Sequence, residues 1–301
     1  MEEGLQVSIG YAKDLMVKAI SLSTALLSRR NAQDIARLLP IYIKAIDEFF
    51  GILRYEVNKQ FYLSLGKEPP SKIEKAERFS SEFVNWQEIE EDALGLLTMA
   101  SLIIMRQSGT RALSLIDLDG EFDVARTEPV SRAKNRAAWL IGLLLAESMR
   151  RIRDIVGRAK REGWGADRVA LELNLNIGLS NRQVKGLENL REKLMASGAT
   201  EAKIQRELGK QSKKSLKQRE FTIARTETTK ARADGMLMAW KEHMVQHVQY
   251  VTTGDPCPIC APFDGNVYTL SEADGMLPIH PNCMCTFVPS VSFNESTIVE
   301  E

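Results

Sequence analysis

All four cysteines of this 301-residue chain fall between Cys257 and Cys285. That clustering is the tightest constraint in the sequence. A disulfide framework spreads its bridges through a fold, whereas thiols gathered in one place build one local site in a reducing compartment. The pattern is Cys257-Pro258-Ile259-Cys260, a gap of 22 residues, then Cys283-Met284-Cys285, with His280 just upstream of Cys283. In a C-x2-C turn the intervening amides fold around the sulfurs, so both thiolates can face one ion. A C-x-C pair after a proline-rich turn adds two more soft donors, and four of them in a tetrahedron suit zinc. Such an ion would staple a loop-rich segment that has little core of its own. Two other chemistries use the same residues. The thiols can stay free or form a disulfide on release into an oxidising medium. A Cys–His nucleophile is the third reading, but nothing in the sequence supplies its orienting group or oxyanion hole. The expected metal ligands are therefore Cys257, Cys260, Cys283 and Cys285, with His280 as the alternative ligand.

The rest of the chain carries helical periodicity. Leu15, Ala19, Leu22 and Leu26 mark one apolar stripe, and Ile35, Leu38, Leu39, Ile43, Ile46, Phe49 and Phe50 a second. Gly66 and the Pro69-Pro70 pair break the region from Ser64 to Ser71. A further helix is expected from about Gln87 to Arg106. Leu115 to Asp123 is an acidic turn; in a calcium-loop register Phe122 stands where the sharp turn needs glycine, so a solvated loop is the better reading. From Arg132 to about Arg161 an apolar stripe of Leu145, Met149, Ile152, Val156 and Ala159 backs a basic face. Short helices follow over Ala166 to Leu173, Ser180 to Met195 and Thr200 to Leu208, with Ser180 and Thr200 as N-caps. A long helix then runs from about Lys213 to His243. Beyond it, His247 to Thr252, Val267 to Thr269 and Cys285 to Val288 read as strands, separated by turns at Gly254-Asp255-Pro256 and Asp264-Gly265-Asn266. The expected fold is mainly α with a small C-terminal α+β, cysteine-clustered segment. Its expected divisions are a helical N-terminal region (1–120), a helical middle region (121–212), a C-terminal domain (213–289) and a flexible tail (290–301).

Charge narrows the functions. Lys plus Arg and Asp plus Glu both number 40, so no global charge drives the chain onto nucleic acid or an anionic membrane. Two local basic faces are candidate DNA phosphate contacts: Arg150, Arg151 and Arg153, and then Lys213, Lys214, Lys217 and Arg219. The plainer reading of both is a solvated helix face. The apolar runs Ala93 to Met105 and Ala137 to Ala146 fall short of the roughly 20 residues a bilayer needs, so no membrane association is expected. The acidic opening Met-Glu-Glu-Gly has no apolar segment after it and does not resemble a secretory signal. No G-x-S-x-G, H-E-x-x-H or P-loop sequence occurs, so no enzyme is expected.

The order Ile223-Ala224-Arg225-Thr226-Glu227, Trp240, Thr253-Gly254-Asp255, Cys257, Cys260, Asp264-Gly265 and Leu277-Pro278-Ile279-His280-Pro281-Asn282-Cys283-Met284-Cys285 resembles the phage Mu F-like head morphogenesis family of minor head proteins. The resemblance is detailed over about Gln218 to Pro289 and looser back to about Arg132. Met284 departs from it, where many relatives place Arg; the candidate ligands are untouched. The resemblance implies a minor capsid protein of bacteriophage or prophage, associated with the portal protein and assisting assembly of a DNA-packaging-competent head. Its implied partners are the portal, other head or scaffolding proteins and packaged DNA. Its implied place is the virion (head interior or portal vertex), reached from the host cytoplasm. Arg225, Thr226 and Glu227 are then a fold-organising motif. Arg225 and Glu227 lie about 200° apart on a helix, so one can anchor the cysteine segment while the other faces solvent. The plain alternative is a Glu227–Lys230 surface pair. The competing function is a zinc-stabilised nucleic-acid-binding protein, disfavoured by neutral charge and the lack of a groove-reading element.

Overall fold

The computed structural model describes residues 24–64, 84–253 and 256–290. The stripe expected at Leu15, Ala19 and Leu22, the break at Gly66 and Pro69-Pro70, the turn residues Gly254 and Asp255, and the tail 291–301 lie outside the described residues, as does the side chain of Leu26.

The helices are α1 (Thr24–Ser64), α2 (Trp86–Ser114), α3 (Thr127–Glu162), α4 (Ala166–Asn176), α5 (Asn181–Ala196) and α6 (Glu201–Glu242). Strands β1 (His247–Val251), β2 (Val267–Thr269) and β3 (Thr286–Ser290) follow, with the short α7 (Leu270–Ala273) after β2. The architecture is mainly α with a small C-terminal sheet, as the sequence implies. The chain forms two compact units: Met1–Tyr42, Met99–Ala133 and Ile223–Glu301 make the first, and Ile43–Thr98 with Lys134–Thr222 the second.

In the second unit the apolar stripe of α1 is buried at Ile46, Phe49, Phe50, Leu53 and Val57, and so are Ile141, Leu144 and Ile152 of α3. Ser180 and Gln183 form the capping box that starts α5, confirming the N-cap read at Ser180. One expectation is corrected. Helices over Thr200 to Leu208 and from Lys213 onward are a single 42-residue α6. A helix-interior glycine costs only about 1 kcal/mol against alanine. Buried Leu208 and Leu216, and the hydrogen bond from Ser212 Oγ to the Leu175 carbonyl at 2.6 Å, hold the backbone helical on both sides of Gly209.

In the first unit α6 packs closely on α2. A Cβ added to Gly235 would stand 2.4 Å from the Met105 carbonyl oxygen, so only glycine permits this approach. Five residues on, the fully buried Trp240 donates its indole N–H to the Ala112 carbonyl at 3.0 Å. The acidic loop is anchored by an apolar side chain: Phe122 is buried, and its amide donates to Thr110 Oγ1 at 3.0 Å. The sheet is antiparallel in the order β2-β1-β3. Along β1, Val248 and Tyr250 are buried while His247 and Gln249 are not, the period-2 pattern of a strand with one covered face. Gly265 takes φ 80° in the turn before β2 and donates its amide to the Tyr250 carbonyl at 2.9 Å. Asp264 Oδ1 accepts the Thr252 amide at 2.8 Å, closing the loop that carries Cys257 and Cys260.

Candidate metal centre

Three side chains on one face of α6 hold the segment from His280 to β3. Thr226 Oγ1 accepts the Asn282 amide at 3.0 Å. One turn on, Thr229 Oγ1 donates to the Cys283 carbonyl at 2.6 Å. A further turn on, Arg232 donates to Thr286 Oγ1 at 2.9 Å. Residues three apart lie on one helix face, so the braces follow from helical spacing. From α1, Asn31 Nδ2 donates to Thr253 Oγ1 at 2.8 Å and to the Met284 carbonyl at 2.5 Å. These bonds fix the loop before Cys257 and the residue between the last two cysteines.

Two tight turns then aim the donors. The amides of Cys260 and Ala261 both bond the Cys257 carbonyl, at 3.0 and 2.9 Å. The Cys283 amide bonds the His280 carbonyl at 3.1 Å, with Asn282 at φ 64°, a conformation that asparagine tolerates. The result brings all five candidate ligands together. His280 Nε2 lies 3.1 Å from Cys257 Sγ and 3.1 Å from Cys260 Sγ. Cys260, Cys283 and Cys285 form a second triplet that shares Cys260, and within each triplet the donor atoms lie within 4.8 Å of one another. His280 Nδ1 stands 2.7 Å from the Pro281 carbonyl, which can only accept, so Nδ1 carries the proton and Nε2 offers its lone pair to the cysteines.

The electrostatics divide the sulfurs. Hydrogen bonding from Cys285 and from backbone amides holds the Cys283 thiol down at about 5, against its burial. The Cys260 amide and its neighbours keep the Cys257 thiol below its ordinary value. Burial pushes Cys260 up to about 11. Cys285 is raised, first by its hydrogen bond to Cys283 and then by burial. Burial works against a charged His280, but the Pro281 carbonyl and the sulfurs of Cys283 and Cys257 outweigh it and raise the ring's pKa. The Tyr250 phenol, raised by burial, lies against Cys260 and Cys285.

The donor set fits a soft ion. Cys260 and Cys283 Sγ stand 3.9 Å apart, close to the roughly 3.8 Å edge of a zinc–thiolate tetrahedron with 2.3 Å bonds. The sequence put the four sulfurs first and His280 second; the geometry seats His280 with the C-x2-C pair.

The Arg225-Thr226-Glu227 motif lies against this cluster. Thr226 makes the direct brace. The half-buried Arg225 guanidinium is lowered by burial, with Cys283 in electrostatic reach. Glu227 is 3% exposed, so neither end of the motif is the solvent-facing member that helical angles suggest, and Lys230 reaches Asp234 at 2.5 Å. The neighbouring Arg232 is deeply buried and brought down to about 10 by desolvation, with Asp34 opposing from 3.9 Å. Asn31 and Tyr250 carry no signal in the sequence, since neither type is a ligand here; the three-residue step from Thr226 to Thr229 is the one usable sign of the brace.

The basic residues separate. Lys213, Lys214, Lys217, Arg150 and Arg153 are exposed. Arg219 is not on that surface: it pairs with Glu147, donates to the Gly178 carbonyl at 3.0 Å and lies over the Phe50 ring at 5.9 Å. Arg151 is half-buried, donates to the exposed Asn181 Oδ1 at 2.6 Å and is lowered by burial.

These features define a helical protein whose C-terminal segment wraps a compact cluster of thiols and one imidazole able to hold a metal ion. Residues 185–288 match the family described as Phage Mu protein F like protein, so this segment of the chain is Mu F-like. No curated protein and no solved structure matches the chain. Among the described residues no helix is long and apolar enough to cross a membrane.

Proposed function

We propose that the protein is a minor head component that associates with the portal and helps assemble a head competent to package DNA. The observation that carries this reading is the coincidence of the Mu F-like match, residues 185–288, with the segment that α6 and the cysteine cluster organise. Its role is architectural, not catalytic: the donor atoms brace a loop-rich segment, and the protein acts through its helical surfaces. Cys257, Cys260, His280 and Cys283 would hold one structural zinc ion, with Cys285 buried beside them. The portal, head or scaffolding proteins are its partners. Lys213, Lys214 and Lys217, exposed in a row on α6, support contact with packaged DNA. The same row favours a second reading, a zinc-stabilised nucleic-acid-binding protein.

Quantitative blotting of gradient-purified mature heads, beside particles lacking the portal, tests the assembly role. A few copies per head that disappear without the portal are expected. A chain absent from heads and left soluble would refute it. Replacing the three lysines together should flatten the salt dependence of DNA binding by roughly 0.9 for each phosphate no longer neutralised; an unchanged slope removes the DNA role from either reading.

A further inference from the structure

On α3, the exposed positions Ala138, Trp139, Gly142, Leu143 and Ala146 form an apolar strip over successive turns. Trp139 is 54% exposed and Leu143 44%, although the same helix buries Leu140, Ile141 and Leu144 on its other side. Among the described residues no element covers the strip. Trp139 is nonetheless held in place, with the Arg136 guanidinium stacked 4.1 Å from its ring. An ordered, exposed aromatic of this kind loses little conformational freedom when it is covered. Nothing lies within 4 Å of the position a Gly142 Cβ would take, so packing within the chain gives no reason for a glycine there. In mid-helix it is less favourable than alanine. What it does allow is close approach by a second backbone.

The charge around the strip selects the occupant. Exposed Lys134 and Arg150 stand at its two ends. The one acidic residue between them, Glu147, is paired with Arg219. Two copies of the chain docking strip to strip would bring these cations together, which opposes self-association. Phosphates would meet an apolar centre with no donors to offer them.

We propose that this face of α3 docks an amphipathic helix of a partner protein, with an apolar stripe seated on Trp139, Gly142 and Leu143 and acidic residues meeting Lys134 and Arg150. The inference stands apart from the head-assembly reading and survives if that reading fails.

The test uses the full chain and two labelled synthetic helices that share a leucine face, one framed by glutamates and the other by lysines, titrated by fluorescence anisotropy. The glutamate-framed helix should bind, and the lysine-framed one at least about tenfold more weakly. Trp139→Ala and Gly142→Leu should each weaken binding by roughly tenfold or more. Met195→Ala, which trims an exposed apolar side chain elsewhere, should leave it unchanged. Circular dichroism melts of each variant separate a failure to dock from a failure to fold. Equal binding of both helices, no binding of either, or indifference to Trp139→Ala overturns the proposal. So does a dimer, or attachment to anionic vesicles, that forms without helix binding and is abolished by Trp139→Ala.

Discussion

The hydroxyl of Thr226 accepts the backbone amide of Asn282 at 3.0 Å, tying the middle of α6 to the turn that sets His280 against Cys283. Thr226→Val keeps the shape and removes the acceptor. An amide left unpaired in a half-buried turn costs about 1–3 kcal/mol. Urea denaturation should show a lower midpoint with an unchanged slope, and a midpoint equal to that of the parent would refute the brace.

Metal content distinguishes the donors. His280 Nε2 lies 3.1 Å from both sulfurs of the C-x2-C pair, whereas Cys285 shares a triplet only with Cys260 and Cys283. His280→Ala and Cys257→Ser should therefore lose zinc in competition with a chromophoric chelator. Cys285→Ser should retain it with an affinity weakened by no more than the roughly 10–100-fold typical of a supporting residue. The parent chain, with free zinc about a thousandfold above its Kd, should gain about 4 kcal/mol of stability that chelator removes. Loss of zinc in Cys285→Ser with retention in His280→Ala would instead establish the four-sulfur site.

Gly235 tests the packing on which the site rests. Its missing Cβ would meet the Met105 carbonyl oxygen at 2.4 Å, and backbone cannot move aside as a flexible side chain can. Gly235→Ala should destabilise the protein by about 1–3 kcal/mol despite alanine's higher helix propensity. A stabilised variant in thermal melts would show that α6 does not press on α2.

The segment 213–289 should not fold by itself. Trp240 depends on the Ala112 carbonyl, and the Met284 carbonyl on Asn31, both contributed by earlier helices. A fragment cut at Lys213 should give no cooperative denaturation transition, with or without zinc, while the full chain gives one. A sharp transition in the fragment would refute this dependence.

The sequence displays some of this more clearly than the rest. The α1 stripe is legible because Ile35 through Phe50 repeats with helical period, and all of its members but the half-buried Ile43 are buried. The cysteine cluster is legible because C-x2-C spacing and a short gap leave the chain few ways to separate its thiols. The continuity of α6 is not, because Gly209 reads as a stop unless the packing of Leu208, Ser212 and Leu216 is known. Arg219 misleads for a related reason. In the sequence it looks like its lysine neighbours, and only Glu147, 72 residues earlier, reveals that it is used internally. The preference for His280 over Cys285 rests on where two turns aim their side chains, which spacing alone does not specify.

Arg132 and Asp274 provide a pH test. Arg132 bonds both carboxylate oxygens of Asp274, one of them at 2.8 Å, and also reaches Glu128 at 3.3 Å and Asp234 at 3.6 Å. The hydrogen bond from Arg132 holds Asp274 below the ordinary carboxylate range, more than offsetting its burial. A carboxylate depressed in the folded state stabilises the fold above its unfolded pKa, near 3.9. That contribution fades as the pH falls through the lower, folded value. Both side chains are partly exposed, so the pair is worth less than about 1 kcal/mol. Melts of the parent and of Asp274→Asn should therefore differ at neutral pH, with the parent higher, and converge as the pH drops below about 4. Added salt should narrow the neutral-pH gap, since exposed pairs are screened. A gap that persisted at low pH would mean that Asp274 stabilises the fold through packing and not through its charge.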